Sequence, residues 1–149
     1  ADAVQLFDTW AGLLSVENYR TIALPATQRA IRVFREKAER RVPLIHYAKG
    51  SGHLHDVIRT LDIDAVSLDW RDDLRANRAT HGSEFAFQGN LDPSRMHGTP
   101  EAAIEAAQRV LNDAGQAPGH VFNLGHGFAP GAQIDCVKAV LRLITGESA

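Results

Sequence analysis

The chain has 149 residues, of which 44% are hydrophobic and 23% charged, and its formal net charge at pH 7 is -2. This length and composition predict one globular domain, residues 1–149, with a sizeable core. The charge gives no reason to expect binding to nucleic acid or to an anionic membrane, and no apolar run approaches the ~20 residues that span a bilayer.

The first residues carry neither a basic segment nor a cleavage pattern, so we expect no secretory leader. The single cysteine, Cys136, has no partner for an internal disulfide, which is typical of a reducing compartment. These features predict a cytoplasmic protein.

The segment "VQLFD", which ends at Asp8, predicts a short first strand. A long helix is expected from Ser15 to Arg41, because apolar residues recur there at helical spacing. Ser15 is a suitable N-cap, with Asn18 as an alternative, and Pro25 should kink or divide this helix.

Strands then alternate with helices along the rest of the chain. The strand segments are "VPLIHYA", "AVSLD", "EFAFQG" and "HVFNLG", and the helical segments are "KGSGHLHDVIRTL", "RDDLRANRAT", "TPEAAIEAAQRVLNDAG" and "QIDCVKAVLRLIT". Thr99 should cap the third of these helices, with Pro100 in its first turn and Gly115 at its end. The alternation predicts parallel βα units, which fit either a βα barrel or an open doubly wound sheet.

Glycines and polar residues cluster after each strand, and the stretch "FNLGHGFAPG" places His126 between Gly125 and Gly127. Glycine lets the backbone turn tightly and lets other atoms approach closely. Such a histidine is either part of a turn or a donor that holds a carboxylate as imidazolium.

Other polar residues at strand ends have simpler explanations. Asn90 and Asp92 fit a capped turn, because Pro93 follows, and Asp69 fits a carboxylate that orients a neighbouring loop. Trp70 fits a side chain that covers the core.

The histidines do not predict a metal site. His53 and His55 differ by two positions, which places them on different faces of a helix, and His46 lacks a cysteine partner. Cys136 is better explained as a buried thiol. The sequence also lacks the glycine motifs of nucleotide binding and of serine hydrolases.

Four segments, taken together, closely resemble the C-terminal part of the uroporphyrinogen decarboxylase family. They are "AVQLFDTWAGLLSVENY", "VSLDWRDDL", "FQGNLDP" and "FNLGHGFAPGAQIDCVKAV". The resemblance implies an α/β fold, the C-terminal half of a TIM barrel. It also implies a cytoplasmic, homodimeric carboxy-lyase. That enzyme removes the four acetate carboxyl groups of uroporphyrinogen III, without a cofactor or metal, to give coproporphyrinogen III for haem biosynthesis.

The same resemblance implies three substrate-binding residues. His126 is similar to the histidine of the family's "LGHG" motif, and Phe7 to an aromatic residue that lines the pocket. Thr9 stands where the family usually has a serine that binds a substrate carboxylate. The family's catalytic aspartate and its arginines lie in an N-terminal part that this sequence lacks. No catalytic residue is therefore expected here, and the isolated segment should be inactive.

Two alternatives remain. Corrinoid-linked, zinc-dependent methyltransferases are similar at "QGNLDP", but they bind zinc through cysteines near the positions of Ala48 and His126, with a histidine like His46. Neither cysteine is present in this chain. The second alternative is an inactive fragment that folds, dimerises or binds a tetrapyrrole.

Overall fold

A parallel β-sheet organises the computed structural model, which describes residues 1–82 and 84–146. Five strands in the described residues follow one another in chain order. They are β1 (Val4–Phe7), β2 (Leu44–Tyr47), β3 (Ala65–Ser67), β4 (Ala86–Gln88) and β5 (His120–Val121). A doubly wound sheet reverses its strand order, whereas a barrel does not. The sheet is therefore part of a barrel, and the predicted half TIM barrel is confirmed.

Helices connect the strands and cover one face of the sheet, because right-handed crossovers that always advance in one direction stay on one side. The α-helices are α1 (Val16–Asn18), α2 (Leu24–Lys37), α3 (His55–Ile58), α4 (Leu74–His81), α5 (Pro100–Ala114) and α6 (Ile134–Thr145). Short 3₁₀ segments cover Ala11–Leu13, Gly52–Leu54 and Pro93–His97. Across residues 1–82 and 84–146, every helix is too short or too polar to cross a membrane.

The first helical segment differs in detail from its prediction. Ser15 is its N-cap as expected, since the Asn18 N–H donates to the Ser15 hydroxyl at 3.2 Å. A π-helical stretch, Tyr19–Ala23, divides it just before Pro25, which lies in the first turn of α2, where a missing N–H costs nothing. The predicted end at Arg41 is wrong, because the chain turns extended at Ala38.

Two apolar clusters hold the helices on the sheet. Buried side chains of β2, β3 and β4, namely Leu44, Val66 and Phe87, pack in the larger cluster. The smaller cluster lies under α5 and α6 and contains Cys136, which is fully buried as predicted. These contacts occupy the outer face of the sheet and leave the inner face to other residues.

Candidate functional site

The last residues of the strands form a row on the inner face of the sheet. The register pairs Phe7 with Tyr47, Tyr47 with Ser67, and Ser67 with Gln88. Neighbours in a parallel register point to the same face, and this row alternates with the residues that face the helices. The row therefore lies at the carboxyl edge, inside the barrel, where βα barrels build their active sites.

Amide hydrogen bonds tie this row across the strands. The Gln88 Nε2 donates to the Ser67 hydroxyl and to the Gln5 Oε1, both at 3.0 Å. Gln88 and Ser67 are buried, so the bonds also satisfy groups that would otherwise be costly inside the protein. The inner face thus has a polar floor.

A cleft of about 210 Å³ opens above this floor. Its lining residues are Gln5, Phe7, Tyr47, Ser67, Asn123, Leu124, His126 and Gly127. The Phe7 ring is 65% exposed and meets Tyr47 edge-on, with the ring centroids 5.9 Å apart. An exposed aromatic ring beside polar groups is typical of a ligand site.

His126 is held in this cleft by aromatic neighbours. Its Nδ1 lies 2.9 Å from the Tyr47 hydroxyl, and its ring is stacked on Tyr47 and tilted against Trp70. Its Nε2 makes no hydrogen bond within residues 1–82 and 84–146. That nitrogen is available to a ligand.

Of the two glycines beside His126, only one is required by the packing around it. A Cβ at Gly125 would overlap the backbone N and Cα of Trp70, so the close approach of these two loops requires glycine. A Cβ at Gly127 would meet nothing within 4 Å. Gly125 therefore sets the position of the histidine loop.

The structure brings Phe7 and His126 together but places Thr9 elsewhere. Thr9 lies in the turn after β1, is half-buried, and is not one of the residues that line the cleft. Its hydroxyl has no hydrogen bond within the described residues.

Asp69 orients loops, as predicted. It is fully buried and accepts hydrogen bonds from the Gly50 N–H, from the Arg71 N–H and from the Arg71 guanidinium, the last through two bonds at 2.8 and 2.7 Å. Burial alone would raise the pKa of Asp69, but these bonds hold it below its usual range. The carboxylate therefore stays charged and joins the loops after β2 and β3.

The turn at Asn90 and Asp92 is also capped as predicted. The Asp92 carboxylate accepts from the Ser94 N–H at 2.8 Å, and the Asn90 amide donates to the carbonyls of Asp69 and Asp72. These residues shape the loop after β4.

Trp70, predicted as a side chain that covers the core, also adjoins His126 and two cationic side chains. It is half-buried beside His126, with the Arg71 guanidinium 4.7 Å and the Lys49 ammonium 5.5 Å from its ring centroid. Such cation–π contacts place positive charge over the Trp70 ring, next to His126. Since Arg71 is paired with Asp69, Lys49 supplies the excess charge there.

The histidines of the metal hypothesis do not share a hydrogen-bond partner within the described residues. His53 contacts the Leu14 carbonyl, His55 contacts the Asn77 side chain, and His46 is fully buried. Burial and the nearby His55 lower the pKa of His46 to about 4, so it is neutral at pH 7. In the described part of the chain, no group of three or more His, Cys, Asp or Glu side chains is placed to hold a metal ion.

Sequence reasoning missed Tyr47 and the polar floor. The available signal was strand parity: Gln5 and Phe7 lie on one face of β1, and the equivalent face of the neighbouring strands carries Tyr47, Ser67 and Gln88. Polar residues at matching positions of successive apolar strands indicate a shared inner surface.

One solved structure supports the fold. A methyltransferase from Methanosarcina mazei superposes with a TM-score of 0.79, and the match covers 98% of this chain and 42% of that one. The two sequences are only 16% identical, so the likeness concerns the fold alone.

Curated relatives cover almost the whole chain. It is 43% identical to uroporphyrinogen decarboxylase of Coxiella burnetii and 44% identical to that of Aromatoleum aromaticum, in each case over 99% of its own length. It spans about two-fifths of those relatives, 41% and 42% respectively.

A comparison with a protein-family model gives the same result. The family described as Uroporphyrinogen decarboxylase (URO-D) matches residues 1–146. On that match, together with these relatives, the chain belongs to the uroporphyrinogen decarboxylase family.

Proposed function

We propose that the intact protein is a uroporphyrinogen decarboxylase, a carboxy-lyase that converts uroporphyrinogen III to coproporphyrinogen III without a cofactor. The observation that carries this proposal is the cleft lined by both the exposed Phe7 ring and His126, whose Nε2 makes no hydrogen bond within the described residues. These are two of the three side chains that the sequence resemblance selected.

The chemistry of the cleft suits part of this substrate. A pyrrole ring packs on the Phe7 ring, and a carboxylate accepts a charge-assisted hydrogen bond from protonated His126. Lys49, over the Trp70 ring that adjoins His126, adds positive charge, which favours a ligand with eight carboxylates. Thr9 would bind a carboxylate that extends past the cleft toward the turn after β1.

The cleft accommodates only a portion of a tetrapyrrole. Its volume of about 210 Å³ is below the roughly 300–1,000 Å³ of sites that enclose a small organic ligand. The remaining three-fifths of the protein, by comparison with its relatives, would supply the rest of the site. That part would include the aspartate and the arginines that the family resemblance implies.

The division of roles follows from the reaction. As carbon dioxide leaves, the pyrrole ring accepts the electron pair, and a proton replaces the lost carboxyl group. Groups near the pyrrole N–H atoms stabilise that charge distribution, while the residues of this chain hold the side chains of the ring. We therefore assign binding, and no proton transfer, to Phe7, Thr9 and His126.

A turnover assay tests the proposal. The intact protein is incubated with uroporphyrinogen III without oxygen, and the porphyrins are separated after oxidation. We expect conversion to coproporphyrinogen III with release of four molecules of carbon dioxide. A folded intact protein that binds the tetrapyrrole without turnover would support the inactive tetrapyrrole-binding alternative instead.

We also propose a cytoplasmic homodimer, which family membership and the single buried cysteine support. Sedimentation of the intact protein tests the dimer, and a monomer at micromolar concentration would contradict it.

A further inference from the structure

The Tyr47 hydroxyl has two partners and one proton. The Tyr47 residue is 3% exposed, and its Oη lies 3.0 Å from the Gly125 carbonyl oxygen and 2.9 Å from His126 Nδ1. Burial, followed by the charge of Asp69, raises the pKa of Tyr47 to about 12, so the proton stays on the hydroxyl at neutral pH.

The Gly125 carbonyl determines where that proton points. A carbonyl oxygen only accepts hydrogen bonds, whereas a histidine nitrogen either accepts or donates. Gly125 is buried, and within the described residues its oxygen has no other partner. A buried carbonyl without a donor would be costly, so the hydroxyl donates to Gly125.

The hydrogen between Tyr47 and His126 must then come from the histidine. We propose that Tyr47 is a positioning residue that fixes neutral His126 as the tautomer with its hydrogen on Nδ1, which leaves Nε2 as a bare lone pair facing the cleft. The stacked arrangement of the two rings, with 15° between their planes, holds the imidazole in register with the hydroxyl.

This tautomer couples carboxylate binding to proton uptake. The lone pair on Nε2 of the neutral ring repels a carboxylate, whereas the imidazolium donates from Nε2 and carries a positive charge. The site takes up one proton with each carboxylate that it binds through His126. This consequence, unlike the tautomer itself, rests on the proposed function.

Within residues 1–82 and 84–146, four charged side chains lie around this pair. Arg71, Asp69 and Asp72 act on Tyr47, and Lys49 and Arg71 lie over the Trp70 ring that adjoins His126. A Tyr47→Phe substitution leaves all of them in place and keeps the aromatic ring, so it removes only the hydroxyl.

Nitrogen-15 NMR of the histidine rings tests the tautomer without substrate. In the intact protein at pH 8 to 9, we expect the His126 signals of a protonated Nδ1 and a bare Nε2, assigned by their loss in His126→Gln. In Tyr47→Phe, we expect the proton to shift toward Nε2. A matched control is Tyr19→Phe, which also removes a hydroxyl from a buried tyrosine, one whose Oη accepts or donates no hydrogen bond within residues 1–82 and 84–146. A protonated Nε2 in the unsubstituted protein would overturn the proposal.

The pH dependence of KM for uroporphyrinogen III tests the consequence. We expect KM to rise as His126 loses its proton, and to rise less steeply in Tyr47→Phe, whose neutral ring also presents an Nε2–H donor. Equal slopes in the two proteins would overturn the coupling. A flat profile in a protein that NMR shows with the Nδ1–H tautomer would contradict only the proposed carboxylate contact.

Discussion

The two ring nitrogens of His126 differ in their hydrogen bonding. Nδ1 is bonded to Tyr47, and Nε2 is unpaired among the residues that the structure describes. The side chain can therefore offer a ligand one hydrogen bond. Its contribution should be that of a binding group.

Replacing His126 by Ala in the intact protein should lower kcat/KM by about 10- to 100-fold. Loss of a hydrogen bond to a charged group costs about 1.5–3 kcal/mol, and each 1.4 kcal/mol corresponds to a factor of about ten. The control is His53→Ala, because His53 is exposed and bonded to the Leu14 carbonyl, outside the cleft. A fall of several further orders of magnitude would show that His126 transfers a proton.

The neighbouring glycines give a matched pair of stability variants. Gly125→Ala should destabilise the protein by about 1–3 kcal/mol, because the added methyl group collides with the Trp70 backbone. Gly127→Ala should change stability by less than about 0.5 kcal/mol, since its new methyl group meets open space. Urea unfolding of the intact protein measures both. Equal effects would contradict the close approach of the two loops.

The sequence was sufficient to predict two residues that line the cleft, but not the residues that hold them in position. Phe7 and His126 lie in sequence motifs, so comparison with the motifs of a family identifies them. Tyr47 is recognised only when β2 is paired with β1 and the histidine loop is folded over it. The role of Gly125 depends on Trp70, which is 55 positions earlier in the chain. Such contacts depend on tertiary packing and leave no local pattern.

At the scale of elements, the alternation of strands and helices was correct because the periodicity of apolar residues encodes it. The end of α2 was harder to predict from the sequence. Arg35, near its last turn, donates to the Val42 carbonyl at 2.6 Å and to the Asp64 carboxylate at 2.8 Å. These bonds tie the extended segment before β2 to the helix, so the chain leaves the helix earlier than its composition suggests.

Asp64 should make part of the stability dependent on acid. Burial alone would raise its pKa, but hydrogen bonds from Arg41, Arg35 and the Leu44 N–H outweigh that effect and lower the pKa to about 2. A carboxylate with a depressed pKa in the folded state stabilises the protein above the pKa of the unfolded chain. That contribution disappears as the pH falls from about 4 toward 2.

Urea unfolding at several pH values tests this contribution. Asp64→Asn should lower the free energy of unfolding at pH 7, and the difference from the unsubstituted protein should shrink toward pH 2. Asp113→Asn is the control, because Asp113 forms an exposed pair with Arg75 that should contribute little. A difference that stays constant with pH would show that the Asp64 charge is unimportant.

At the scale of the whole molecule, the described sheet has two open edges. Within residues 1–82 and 84–146, β1 pairs only with β2 and β5 only with β4. Apolar side chains on or near the inner face, Phe7 and Val121, are 65% and 47% exposed. A closed barrel has no edges and fills its interior with side chains, so these surfaces need a partner.

The 149-residue chain expressed alone should therefore self-associate through its edges and should not decarboxylate uroporphyrinogen III. Analytical ultracentrifugation measures the first property, and a soluble folded monomer would contradict it. The second property requires the turnover assay with His126→Ala of the same chain as background. Turnover above that background would show that this part holds the catalytic groups.

A crystal structure of the intact protein with coproporphyrinogen III bound tests the central claim most directly. The claim is that the cleft between Phe7 and His126 receives the tetrapyrrole. We expect a pyrrole ring against Phe7 and a carboxylate oxygen within hydrogen-bond distance of His126 Nε2. A tetrapyrrole bound at another place, with His126 Nε2 free of it, would contradict the account.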